Sequence, residues 1–211
     1  MNYARCVIIT SYIDAAVRDL ISITEEDFVI CADGGYAHAL RESITPNLLI
    51  GDFDSYNGPL PVDIKVMQVP AEKDYTDTGL CLQYALDRGF ETIAVAGGLG
   101  GRFDHALSNL QSMADALAQN PRVRITIYSL QNTVTMLTGG ALTVPSRPDC
   151  KLSLLAYSDV CTGVSVSGVH YPLSDVVLTN RFPLGVSNEF EAETAEVRVR
   201  DGNLLVIVSR D

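Results

Sequence analysis

Positive charge is scarce in this chain. Its 15 Lys and Arg residues face 26 Asp and Glu, a formal net charge of −11. Such a surface repels phosphate backbones and anionic lipid, which argues against nucleic acid and membrane as partners. An anionic small ligand carried in with a divalent metal stays open. Long apolar runs are missing as well. None reaches the ~18 residues of a membrane span, and the N-terminal "MNYARCVIIT" lacks the apolar stretch of a secretory leader. The five cysteines, Cys6, Cys31, Cys81, Cys150 and Cys161, form no CxxC pair. Odd in number and set mostly in apolar runs, they read as buried free thiols in a reducing compartment. A cytoplasmic location is the expectation. There is no repeat, no low-complexity stretch and no long linker.

What is present reads as globular, 47% apolar and 19% charged over 211 residues. That length suits one large domain or two small ones, each with a real core. The first part alternates short apolar runs with amphipathic ones. "RCVIIT", "DFVICADGG", "NLLIGDFDS", "IKVMQVP", "TIAVAGGLGG" and "VRITIYSL" look like strands. "DAAVRDLISI", "YAHALRES", "TDTGLCLQYALDRG" and "DHALSNLQSMADALAQN" look like helices. The alternation implies βαβ crossovers and a Rossmann-like, mostly parallel sheet with flanking helices. After residue 131 or so the pattern changes to short strand-like runs separated by turn residues. A small all-β sandwich is expected there. Within it, "VRVRDGNLLVIV" predicts a hairpin about Asp201 and Gly202. The fold class is therefore α/β, with an α/β domain over 1–132 and a β-sandwich over 133–211.

Ligands bind at the C-terminal ends of strands in an open α/β sheet, and unusual residues collect at those ends. "CADGG" carries Asp33 and Gly34; "GDFDS" carries Asp52 and Asp54. "EKDYTD" places Lys73, Asp74, Thr76 and Asp77 at a helix start. "GGLGGRFDH" supplies Gly98, Gly100, Gly101, Arg102, Asp104 and His105. Two aspartates two apart point the same way on an extended backbone, and their charges repel at roughly 6–7 Å. Gathered at one sheet edge, Asp52, Asp54, Asp74 and Asp77 call for a cation. Mg²⁺ takes hard oxygen ligands, usually one or two carboxylates with substrate phosphates. Asp74 also suits a helix cap, and Asp77 a helix dipole. The glycine turn lets backbone N–H groups approach phosphate oxygens, although it is neither a Walker A motif nor GxGxxG. Arg102 directly after it suits phosphate geometry. His105 fits a structural place at a helix start. Together these clusters suggest metal-assisted transfer of a phosphate-containing group, with the acceptor open.

In order and register, "ADGG", "GDFDS", "KDYTD", "GGLGGRFDH", "GVHYPL" and "GVSNEF" resemble the thiamine pyrophosphokinases. The resemblance spans most of the chain. It implies an N-terminal α/β catalytic domain, a C-terminal sandwich, and homodimers with active sites between subunits. It implies transfer of diphosphate from ATP to the thiamine hydroxyl, giving thiamine diphosphate and AMP. By the same resemblance Asp52, Asp54 and Asp77 hold Mg²⁺. Asp33, Gly34, Asp74, Arg102, Asp104 and the turn glycines Gly98, Gly100 and Gly101 shape the ATP site, with Lys73 and Thr76 beside them. Tyr171 packs near the thiamine ring, and Ser187 and Asn188 contact thiamine. At Tyr171 some members carry Trp; either aromatic can stack.

Three other readings compete. Diphosphate transfer to another hydroxymethyl heterocycle, such as a pterin, would differ at Tyr171 and at residues 187–189. A thiamine or nucleotide sensor without turnover would have lost metal carboxylates, yet all are present. A phosphatase using Asp52 as a nucleophile leaves the glycine turn and the second domain unexplained.

Overall fold

Continuous apolar runs build the first unit. The computed structural model describes residues 3–56, 58–70, 72 and 74–210, and residues 6–9, 30–32, 48–50 and 93–96 are all buried in it. Strands buried on both faces are the mark of a parallel sheet covered by helices. Six strands form it: β1 (Arg5–Ile9), β2 (Asp27–Ala32), β3 (Leu48–Gly51), β4 (Lys65–Gln68), β5 (Thr92–Ala96) and β6 (Arg124–Tyr128). Their order is β6-β5-β1-β2-β3-β4, and every pairing is parallel. The chain runs outward from β1 to β4, then returns to place β5 on the other side of β1. The turns after β1 and β5 therefore leave from adjacent strands at the switch point, where such sheets bind ligands.

Four helices connect the strands: α1 (Val17–Leu20), α2 (Gly35–Arg41), α3 (Asp77–Asp87) and α4 (Phe103–Gln119). On α4, Asn109, Met113, Ala116 and Leu117 are buried, the spacing of one helical face. The expected helix "DAAVRDLISI" shrinks to the four residues of α1. Ile21 is already extended, and β-branched Ile21 and Ile23 weaken any continuation. The Glu42 carboxylate accepts from the first amides, Val17 N (2.6 Å) and Arg18 N (3.0 Å).

The first unit ends at Leu130 and the second begins at Gln131. The second is antiparallel throughout: β7 (Asn132–Pro145), β8 (Cys150–Ala156), β9 (Val160–Ser167), β10 (Leu173–Thr179), β11 (Gly185–Glu189) and β12 (Thr194–Arg210). The expected hairpin at Asp201 and Gly202 does not form. Both flanks of that dipeptide belong to β12 and pair with the one strand β7, with a register shift between Val199 and Asn203. On its other edge β12 gives residues 196–201 to β9 and residues 204–210 to β8. The Asp-Gly pair thus makes a bulge, where the long strand changes partner. Alternate side chains, among them Val197, Val199, Leu204, Val206 and Val208, enter the core with Leu152, Leu154, Val164 and Val166. All five cysteines are free thiols. No described helix is long and apolar enough to cross a membrane.

Candidate active site

A cleft of about 500 Å³ opens where β1, β2, β3 and β5 end. Asp33 enters it directly after β2, in the left-handed region at φ 46°. The backbone passes so close that a Cβ on Gly51 would lie 2.9 Å from Asp33 Cα, so only glycine fits at the end of β3. Asp33 is 4% exposed, and its Oδ1 is buried without a hydrogen-bond partner among the described residues. Ser11 Oγ lies 3.5 Å from Oδ2, a weak contact.

Asp52 and Asp54 come together by a turn rather than by strand alternation. β3 stops at Gly51 and Phe53 is left-handed at φ 62°, with its ring nearly buried. Asp52 Oδ1 accepts from Asp54 N (3.1 Å), and Ser55 Oγ donates to Asp54 Oδ1 (2.9 Å). Carboxylate oxygens of Asp33, Asp52 and Asp54 all lie within 4.8 Å of one another. Three like charges so close, one of them buried with an unpartnered oxygen, are costly without a counter-charge. The donor set is all hard oxygen and fits a divalent cation such as Mg²⁺.

The other predicted residues distribute as follows. Thr76 caps α3, its Oγ1 accepting from Gly79 N (3.1 Å), so the capping role open to Asp74 falls to Thr76. Asp74, Thr76 and Asp77 line the cleft, with Asp77 outside the group of three carboxylates. Lys73 lies outside the described residues. Gly98, Gly100, Arg102 and His105 also line it, whereas Gly34, Gly101 and Asp104 sit beside the lining. Gly34 is the N-cap of α2. Arg102 and Asp104 form a bidentate pair, Nε to Oδ1 at 3.2 Å and Nη2 to Oδ2 at 2.6 Å. The hydrogen bond to Asp104 raises the Arg102 pKa, and the same bond holds the Asp104 carboxyl below its ordinary value. Both side chains are largely exposed, so a phosphate can compete for the guanidinium.

In the second unit, Asn188 Nδ2 donates to Tyr171 O (2.8 Å) and its Oδ1 accepts from Tyr171 N (3.0 Å). The Tyr171 ring is 68% exposed and meets His170 edge-on, with centroids 4.5 Å apart. Ser187, left-handed at φ 59°, is held by its amide to Ser153 Oγ (3.0 Å). The three predicted substrate contacts thus form one surface group.

Sequence reasoning missed Thr10, Ser11 and Tyr12 after β1, and Asn109 on α4, all on the cleft wall. The strand-end rule applied to "RCVIIT" pointed at the first three. Asn109 carried no such signal beyond being polar on a helix face that is otherwise apolar.

Fold and cleft together define a two-unit α/β protein with a carboxylate-lined site at the switch point of a parallel sheet. The family model described as the thiamin pyrophosphokinase catalytic domain matches residues 21–127, and that of the vitamin B1 binding domain matches residues 141–204. A thiamine pyrophosphokinase of Bacillus subtilis is 29% identical over 202 residues, spanning 92% of this chain and 94% of its own. Thiamin pyrophosphokinase 1 of Caenorhabditis elegans is 28% identical over 191 residues, spanning 84% of this chain and 76% of its own. Among solved structures, a thiamine pyrophosphokinase from Bacillus subtilis superposes with a TM-score of 0.85 at 26% identity, covering 98% of this chain and 100% of its own. A family member from Enterococcus faecalis gives 0.79 at 28% identity, covering 98% and 99%. The chain belongs to the thiamin pyrophosphokinase family.

Proposed function

We infer that this chain is a thiamine pyrophosphokinase, transferring diphosphate from ATP to the hydroxyl of thiamine and releasing thiamine diphosphate and AMP. Family membership over both units supports the reading. The observation that carries it chemically is Asp33, whose buried, unpartnered oxygen beside Asp52 and Asp54 fits a Mg²⁺-nucleotide site.

The parallel-sheet unit serves as a Rossmann-like nucleotide domain. In it Asp33, Asp52 and Asp54 would hold Mg²⁺, with Asp77 in the same cleft, and Asp74, Thr76 and the turn glycines Gly98, Gly100 and Gly101 bound the ATP site. Bound Mg²⁺ neutralises charge on the phosphate oxygens. Arg102, released from Asp104, adds a planar cation at the same oxygens. The antiparallel unit, read as a sandwich, presents thiamine on Tyr171, Ser187 and Asn188. The thiamine hydroxyl attacks the β-phosphorus in line, a new O–P bond forms, and the bond from the β-phosphorus to the oxygen it shares with the α-phosphate breaks. AMP leaves with that oxygen, and an aspartate of the cleft takes the hydroxyl proton. The enzyme works as a cytoplasmic homodimer with active sites between subunits.

The test is AMP release from Mg-ATP with and without thiamine, with mass spectrometry of the thiamine product. AMP only with thiamine, beside thiamine diphosphate, and loss of both in Asp54→Asn, is the expected result. Saturable thiamine binding without AMP would replace the enzyme with a sensor. No response to thiamine would overturn the acceptor.

A further inference from the structure

The glycine turn after β5 splits into two halves with different duties. The first half is spent on internal bonds. Gly97 N donates to Tyr128 O (2.8 Å) and Gly98 N to Tyr12 O (2.9 Å). Asn109 Nδ2, buried, donates to Gly98 O (2.8 Å). A Cβ on Gly97 would lie 2.2 Å from Tyr12 O, and one on Gly98 2.7 Å from Asn109 Nδ2; both residues have positive φ. What these glycines supply is close approach, since their amides are already taken.

The second half leads to Arg102. Among the described residues no backbone carbonyl accepts from Gly100 or Gly101. Tyr12 lies across both. A Cβ on Gly100 would stand 2.5 Å from Tyr12 Cε1, and one on Gly101 2.8 Å from Cδ2 and Cε2. The ring also lines the cleft and is 46% exposed. Its backbone is fixed just beyond β1, where Tyr12 O takes Gly98 N–H and lies 3.1 Å from Thr10 Oγ1, a hydroxyl shared with Ala96 O (2.9 Å). One residue thus grips the spent half with its carbonyl and covers the free half with its ring.

We propose that Tyr12 is a positioning residue for nucleotide binding. Its ring holds residues 100–101 in the one arrangement that turns their amides and Arg102 toward a polyphosphate. A flexible glycine pair would otherwise pay its ordering entropy each time the ligand binds, and preorganisation removes that cost. The inference rests on the reading that this cleft takes a nucleotide polyphosphate.

The experiment is calorimetric titration of Mg-ADP into the full chain, alongside steady-state kinetics with ATP and thiamine. Tyr12→Ala is expected to weaken Mg-ADP and raise the ATP KM about tenfold, the scale of one weakened charge-assisted hydrogen bond. Its thiamine KM should stay within about twofold, and Tyr12→Phe should match the wild type. A merely structural role would move the ATP and thiamine KM values together. Gly100→Ala provides the second arm, because its methyl collides with the ring. Alone it should weaken Mg-ADP, and in a Tyr12→Ala background it should add nothing. Unchanged Mg-ADP affinity in Tyr12→Ala, failure of Tyr12→Phe to match wild type, or additive effects in the double variant would overturn the proposal. A wild type that binds Mg-ADP but forms no AMP with thiamine would remove the activity reading and leave this one standing.

Discussion

Asn188 and Tyr171 are joined backbone to side chain in both directions, the amide giving 2.8 Å to the Tyr171 carbonyl and accepting 3.0 Å from its N–H. An amide does both jobs and a carboxylate does only one. Asn188→Asp would set an acceptor against the Tyr171 carbonyl and release the exposed ring. The thiamine KM is expected to rise about tenfold, as for one or two lost hydrogen bonds, with the ATP KM within about twofold. Steady-state kinetics with each substrate varied in turn checks this; an equal rise in both constants would remove Asn188 from the thiamine site.

Asp33 trades stability for function. Its buried Oδ1 has no partner among the described residues, and two more carboxylates lie within 4.8 Å. Asn tolerates the left-handed φ of 46° that Asp33 adopts. In metal-free buffer Asp33→Asn should be more stable by about 1 kcal/mol, raising Tm by about 2–4 °C. Added Mg²⁺ should raise the Tm of the wild type and leave that of the variant unmoved. AMP formation should fall at least about 100-fold. Thermal melts with and without Mg²⁺ read the first two effects, and a lower metal-free Tm in the variant would refute the account.

At the opposite end of β2, Asp27 is buried and takes hydrogen bonds from Arg5 Nε (2.6 Å), Arg5 Nη2 (3.0 Å) and Thr24 N (2.8 Å). Burial pushes its pKa up, but the bonds from Arg5 and Thr24 outweigh burial and the net shift is downward. A depressed folded pKa contributes stability that is present above the ordinary carboxylate range and lost as pH falls through the folded value. Asp27→Asn should therefore cost about 2 kcal/mol at neutral pH, and the gap to wild type should begin to narrow as pH falls below about 4. Tm measured from pH 7 to pH 3 in both proteins tests this; a gap that stays constant with pH would exclude the ion pair as its source.

Arg102 is exposed and its partner Asp104 equally so. Exposed pairs contribute little to stability, whereas the planar fork matters for phosphate. Arg102→Lys should leave Tm within about 1 °C. It should lower kcat/KM for ATP about 10- to 100-fold through the lost bidentate contact. Melting curves beside initial rates decide; a matching loss of stability would make Arg102 a structural residue.

Much of the first unit was legible because buried parallel strands leave runs such as residues 6–9 and 48–50, apolar at every position. Helix α1 was overestimated because "DAAVRDLISI" carries a helical spacing while Ile21 lies extended. The Asp201 and Gly202 pair misled because turn chemistry is local: the same residues serve a hairpin or a bulge, and the choice depends on whether both flanks meet one partner strand, here β7. Site motifs were visible as clusters of Asp and Gly at strand ends. The strand-end rule reaches Tyr12 by position alone; that its ring lies over Gly100 and Gly101 is not visible along the chain, because those residues are nearly ninety positions away.

By itself the sequence determined the parallel-sheet architecture of the first half, the β-rich second half, and the family, because periodicity and motif order are properties of the chain read along its length. Tertiary structure decided which groups meet. It set Asp33 beside Asp52 and Asp54, spent the amides of Gly97 and Gly98 on Tyr128 and Tyr12, and laid the Tyr12 ring over Gly100 and Gly101. The physical reason is that these contacts join residues some twenty to ninety positions apart, through strand neighbours that only the sheet order β6-β5-β1-β2-β3 creates.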